Sequence, residues 1–283
     1  MRFWTSAATA KSAWNDTVRA SGGGPVTICL GGSATGFGID AGYASRELNW
    51  PMVNLGLHAG MGPEVLTGFA LSKAKKGDTF LVMLEPVLLA DSEMKTALGV
   101  QFAFAIGDPS ILAWRESNQG GFMTESHLLD LRPGASNVFG LIGKIAMNRP
   151  LYRYQVKDMR DGGLLTTSVS SGIVARKSSP EFLSESAKVL LQDLVSIANE
   201  RGLKIIYGFP WVYSDEKSAG LVRRGRLALL NEIEKIMPVL HEDNLGVRTE
   251  KIDFRDSPQH LSEAAARRRT EELIGALEKN FGA

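Results

Sequence analysis

Short apolar runs recur along the chain and alternate with longer segments of helical period. Residues 26–30, 51–55, 79–84, 204–209 and 247–254 read as strands, most of them bounded by Gly, Pro or Asp. Helical spacing appears over 9–19, 63–75, 180–201, 220–236 and 261–281, with a shorter candidate at 44–48. Pro180 stands close to the first turn of its helix, and Ser262 is a good N-cap for the last one. Between 89 and 179 the periodicity weakens and Gly, Asn and Ser accumulate, with turns at 118–121, at Arg149-Pro150 and at 161–163. That stretch reads as a loop-rich helical insertion, either a lid or a plain set of surface connections. The alternation predicts one α/β domain over 1–283, a three-layer α/β/α body with a mainly parallel central sheet.

In open sheets of this kind ligands bind outside the carboxyl ends of the strands. Ser33 follows the first predicted strand, Gly56 the second, Glu85 the third, and Asp256 and His260 the last. All therefore fall on one edge of the sheet. A serine hydroxyl is a weak nucleophile until a base takes its proton. His260 has the chemistry of that base, and Asp256 that of the group which orients its ring and stabilises the imidazolium. Each residue has a plainer alternative. Ser33 can be a small residue capping the next helix, and His260 a structural residue beside a helix. Asp253 competes with Asp256, although it lies in the alternating strand and is expected to face solvent. Asp40 reads as a helix cap. Asn54 either positions its loop or donates a side-chain hydrogen bond. His58 either meets substrate or is an exposed loop histidine. Glu85 either binds a sugar hydroxyl or pairs with an arginine.

Composition narrows the function classes. A formal net charge of +1 offers no reason to expect nucleic acid or an acidic membrane as partner. The one basic run, Arg267-Arg268-Arg269, reads as a solvated helix face. No apolar run reaches the roughly 18 residues of a membrane span. The first 24 residues lack the apolar stretch of a signal peptide. The chain as written reads as cytoplasmic, or as periplasmic if a leader or anchor belongs to it. Cys29, the single cysteine, reads as a small buried hydrophobe. His127 and His241 have no metal-type spacing, and no metal or other cofactor is implied. The glycines of 31–38 match neither the dinucleotide nor the Walker pattern.

The segments GGSATGFGID, VNLGLHAG and DSPQHLS together resemble the SGNH (GDSL-like) hydrolase superfamily, over roughly residues 25–90 and 200–280. The likeness is greatest to its bacterial branch linked to exopolysaccharide modification. The resemblance implies an SGNH/flavodoxin-like fold and a catalytic Ser33, Asp256 and His260. It implies an oxyanion or substrate-binding set of Gly32, Asn54, Gly56 and Glu85, with the amides of Ser33 and Gly56 as oxyanion donors. Two departures stand out. The family's third strand ends in Gly-x-Asn-Asp, whereas this one ends in Glu85-Pro86, and an ionised carboxylate cannot donate to an oxyanion. The usual Asp-x-x-His has one more residue here, with Pro258 available to shape a wider turn. The implied activity is a carbohydrate O-acyl esterase or polysaccharide O-acetyltransferase. Its substrate would be an acylated carbohydrate or polysaccharide, and polysaccharide-synthesis proteins are possible partners. The alternative is an inactive SGNH-fold scaffold that binds sugar, with Trp114, Trp211 and Tyr213 as stacking platforms.

Overall fold

The computed structural model describes residues 1–115, 154–167, 169 and 172–281. Four parallel strands form the central sheet: β1 (Thr27–Gly31), β2 (Met52–Asn54), β3 (Thr79–Met83) and β4 (Lys204–Tyr207). Their order is β2-β1-β3-β4, with Ile28 level with both Val53 and Phe80, and Phe80 level with Ile205. A single parallel bridge from Tyr207 to Val239 extends the far edge.

Strand periodicity sorts the side chains into two layers, because successive residues point to opposite faces. Ile28, Leu30, Val53, Phe80, Val82, Ile205 and Tyr207 enter one apolar cluster, whereas Cys29, Met52, Leu81, Met83 and Ile206 enter another. On the first face lie α1 (Arg2–Gly22), α4 (Pro63–Leu71), α5 (Pro86–Ala90), α6 (Ala97–Ala105), α7 (Glu185–Arg201) and α8 (Glu216–Ile233). On the second lie α3 (Ala41–Glu47) and α9 (Glu263–Phe281). The fold is therefore a mixed α/β body with helices on both faces of a mainly parallel sheet.

The connection from β1 to β2 runs through α3 on one face, and that from β2 to β3 through α4 on the other. The carboxyl end of β1 is thus the point where strand order reverses, the usual location of a binding crevice.

Several element boundaries differ from expectation for local reasons. The first helix begins at Arg2, not near residue 9, because Trp4, Ala7, Ala8, Lys11, Asn15 and Val18 make one continuous buried stripe. The helix expected from 180 starts at Glu185, where Ser184 Oγ accepts the Ala187 N–H at 3.1 Å. The expected strand 247–254 shrinks to β6 (Val247–Arg248), paired with β5 (Val212–Tyr213) outside the central sheet. Residues Lys251–Asp253 turn instead into a short 3-10 helix. Asp253, expected to face solvent, is buried and bonds Arg268 at 2.5 Å. In the basic run only Arg267 and Arg268 are exposed; Arg269 is buried and binds Glu242 and the Phe209 carbonyl.

Of the expected insertion, residues 116–153 lie outside the described residues, as do the turn at 118–121, Arg149-Pro150 and His127. The parts that are described join the body of the molecule. Val100, Phe102, Ala103, Ile111, Leu112 and Leu165 all sit in the main apolar cluster. Among the described residues, no helix is long and apolar enough to cross a membrane.

Candidate active site

Ser33 is the first residue of α2 (Ser33–Gly36), directly after β1 and Gly32. Close packing requires the two preceding glycines. A Cβ on Gly31 would lie 2.5 Å from the Met83 carbonyl, and one on Gly32 would lie 2.5 Å from both carboxylate oxygens of Glu85. Neither glycine has a positive φ, so contact and not backbone conformation selects them. Ser33 itself stays half-buried while its neighbours in the turn are buried.

His260 arrives from the other end of the chain. Phe254 and Leu261 form an antiparallel bridge that closes the loop carrying Asp256 and His260. Within it the Arg255 N–H donates to the His260 carbonyl at 2.9 Å, and the Pro258 carbonyl accepts the Tyr213 N–H at 2.7 Å. This closed loop accommodates the additional residue between Asp and His. The Ser262 hydroxyl then caps α9 by accepting the Ala265 N–H at 3.2 Å.

The three side chains meet. His260 Nε2 lies 3.0 Å from Ser33 Oγ, and His260 Nδ1 lies 2.9 Å from Asp256 Oδ1. The carboxylate of Asp256 is almost wholly buried, with 1% of its side-chain surface exposed. A buried carboxylate against Nδ1 keeps the ring proton there and leaves Nε2 free to accept from the serine hydroxyl. Phe37 stacks on the imidazole at 4.1 Å between ring centroids, fixing its plane.

Tyr154 also belongs to the site and was not expected from the sequence. Its hydroxyl donates to Asp256 Oδ2 at 2.7 Å and lies 3.3 Å from His260 Nδ1. It comes from the stretch of weak periodicity, where no motif marks it. Its ring also meets Phe3 and Phe37.

The four residues expected to hold an oxyanion or substrate occupy the floor of the turn, and their polar groups bind one another. Glu85 is buried, and its two oxygens accept the Gly32 N–H at 3.0 Å and the Ala34 N–H at 2.9 Å. Burial pushes its carboxyl above the ordinary value, against the pull of those amides and of His260. Among the described residues it pairs with no arginine, and both of its oxygens are engaged by these amides. Asn54 is fully buried; its amide donates to the carbonyls of Ile39 at 2.7 Å and Thr35 at 3.0 Å. Its Oδ1 accepts the Gly56 N–H at 2.9 Å. The Gly56 amide, expected as an oxyanion donor, is therefore occupied, and so is that of Gly32. The Ser33 N–H, at the first position of its helix, has no intrahelical acceptor and finds no other among the described residues.

Beneath this floor lies Lys11, buried on the apolar face of α1. Its ammonium donates to the Asn54 carbonyl at 2.8 Å and the Gly163 carbonyl at 2.5 Å, with Asn54 Oδ1 at 3.4 Å. None of these partners is a carboxylate, and burial lowers its pKa to about 7. A lysine among the mostly apolar residues of that helical stripe was the available sequence signal.

Other candidates take structural positions. Asp40 caps α3 by accepting the Tyr43 N–H at 2.9 Å. Trp211 is buried beneath the Arg248 guanidinium, 3.7 Å from its ring centroid. Trp114 donates to the Glu64 carbonyl at 2.9 Å, and Tyr213 packs against Phe254. Among the described residues, no group of three or more His, Cys, Asp or Glu is placed to hold a metal ion.

Comparison of the chain with family models, with curated proteins and with solved structures finds no match.

Proposed function

We propose that this chain is a serine-dependent acyl-transfer enzyme of the SGNH type, a carbohydrate O-acyl esterase or polysaccharide O-acetyltransferase. One observation carries the reading: the continuous relay from Ser33 Oγ through both ring nitrogens of His260 to the buried Asp256. In this reaction Ser33 Oγ attacks the ester carbonyl carbon while His260 Nε2 takes its proton. The C–O bond of the leaving alcohol then breaks, and His260 returns the proton to that oxygen. The resulting acyl-Ser33 passes its acyl group to water or to a sugar hydroxyl, with His260 again as base. Asp256 stabilises the imidazolium formed in each half-reaction. Tyr154 supports Asp256, and the Ser33 N–H, which has no acceptor among the described residues, donates to the developing oxyanion.

The test is intact-protein mass after incubation with a serine-reactive fluorophosphonate. In that reaction Ser33 Oγ bonds to phosphorus and fluoride leaves. Stoichiometric labelling is expected for the wild type and none for Ser33→Ala or His260→Ala. A folded wild type that stays unlabelled, and that releases no acetate from acetylated oligosaccharides, argues against the proposal. Partition of the acyl group between water and an oligosaccharide acceptor then separates esterase from transferase.

A further inference from the structure

Acyl transfer needs donors aimed at the developing oxyanion, and removing one typically costs about 10²–10³ in turnover. The amides of Gly32 and Ala34 are taken by Glu85, and that of Gly56 by Asn54. Among the described residues the Ser33 N–H remains, one donor short of a pair.

The loop after β2 lies directly on the nucleophile turn. The Leu57 N–H donates to the Gly31 carbonyl at 3.1 Å, two residues before Ser33. A Cβ on Gly56 would lie 2.3 Å from the Gly36 nitrogen. His58 is the next side chain beyond this contact. Its Nδ1 accepts the Gly60 N–H at 2.9 Å. A backbone amide is always a donor, so Nδ1 is unprotonated and the neutral ring carries its proton on Nε2. The ring is half-buried and stands edge-on to Trp4 at 5.2 Å. Trp4 in turn meets Tyr154, the partner of Asp256, so His58 and the triad share one aromatic wall.

We infer that His58 is a catalytic residue whose Nε2–H, with the Ser33 N–H, forms the oxyanion hole and replaces the family's strand-end asparagine. The inference rests on the acyl-transfer reading. Three features keep the ring in the donor form required. Burial, and the imidazolium that forms at His260 when it takes the serine proton, both lower its pKa, and protonation at Nδ1 would set two N–H groups against each other at Gly60. A neutral imidazole donor has the further merit that it does not compete with His260 for the serine proton.

Hydrolysis of a small activated acetyl ester and the rate of fluorophosphonate labelling test this in wild type, His58→Ala and His58→Gln. His58→Ala should lose about 10²–10³ in kcat with KM nearly unchanged. His58→Gln, which keeps an N–H donor on a side chain of similar reach, should recover most of that loss. Denaturation midpoints show whether either variant is destabilised; a purely structural histidine would lower the midpoint without a kcat-specific, glutamine-rescued defect. If the wild type labels and turns over, and His58→Ala matches it within about twofold, the oxyanion assignment is wrong while the Ser33 reading stands. A wild type inert to both reagents instead removes the Ser33 reading, and this assignment with it.

Discussion

A single methyl at Gly32 should unseat the floor of the site. Its φ of −84° is negative, so no left-handed backbone calls for glycine there. The cost is steric. The added carbon would stand 2.5 Å from both carboxylate oxygens of Glu85 and 2.8 Å from its Cδ. A carboxylate on a long side chain would normally swing aside at little cost. This one is 1% exposed, and both of its oxygens are held by amides of the turn that carries Ser33. Relief must break at least one bond to a charged acceptor, worth about 1.5–3 kcal/mol, and adds overpacking of about 1–3 kcal/mol. Gly32→Ala is therefore expected to lose about 3–5 kcal/mol. Equilibrium urea denaturation measures it, and a double-mutant cycle with Glu85→Ala isolates the cause. Glu85→Ala alone leaves two buried amides without an acceptor and should also destabilise. In that background the methyl at Gly32 meets empty space, so the two losses should fall short of additive by at least about 2 kcal/mol. Additive losses, or a Gly32→Ala protein as stable as the wild type, would refute the argument.

Two further variants address groups around the triad. Tyr154→Phe removes the 2.7 Å bond to Asp256 Oδ2 and should slow labelling of Ser33 about tenfold, since about 1.4 kcal/mol is a factor of ten in rate; an unchanged rate would show that Asp256 needs no such support. Lys11 has a folded pKa of about 7, below the unfolded value. Its stabilising contribution is thus complete above about 10.4 and is lost as pH falls towards 7, over a span of roughly 5 kcal/mol. Urea unfolding of wild type and Lys11→Met at pH 7, 8 and 9 should show the wild type gaining stability with pH relative to the variant, whereas parallel profiles would contradict the assignment.

Periodicity alone determined the layers of this protein. The apolar runs at 26–30, 51–55 and 79–84 read as strands of one sheet covered on both faces, because such a strand carries no polar alternation. The parallel order followed from the helical segments between them, since parallel neighbours need a long crossover. The same logic placed Ser33 and Glu85 on one edge, because residues that follow parallel strands emerge on the same side; Asp256 and His260 reach Ser33 by another route, since the strand expected before them ends at Arg248 and pairs outside the central sheet. Sequence could not say which polar atoms on that edge face outward and which face one another. Glu85 and Asn54 share the edge with Ser33, yet their oxygens and nitrogens are consumed inside the turn. Nor could it foresee the loop closed by Phe254 and Leu261, which depends on a bridge and on the Tyr213 N–H, both set by packing. Tyr154 reaches Asp256 across 102 residues, and Lys11 reaches Gly163 across 152. Contacts of that separation leave no periodic trace, because hydrophobic patterning records which side of an element is covered and not what covers it. The tertiary structure alone decided which expected donors remain free, and with them the arrangement of the site.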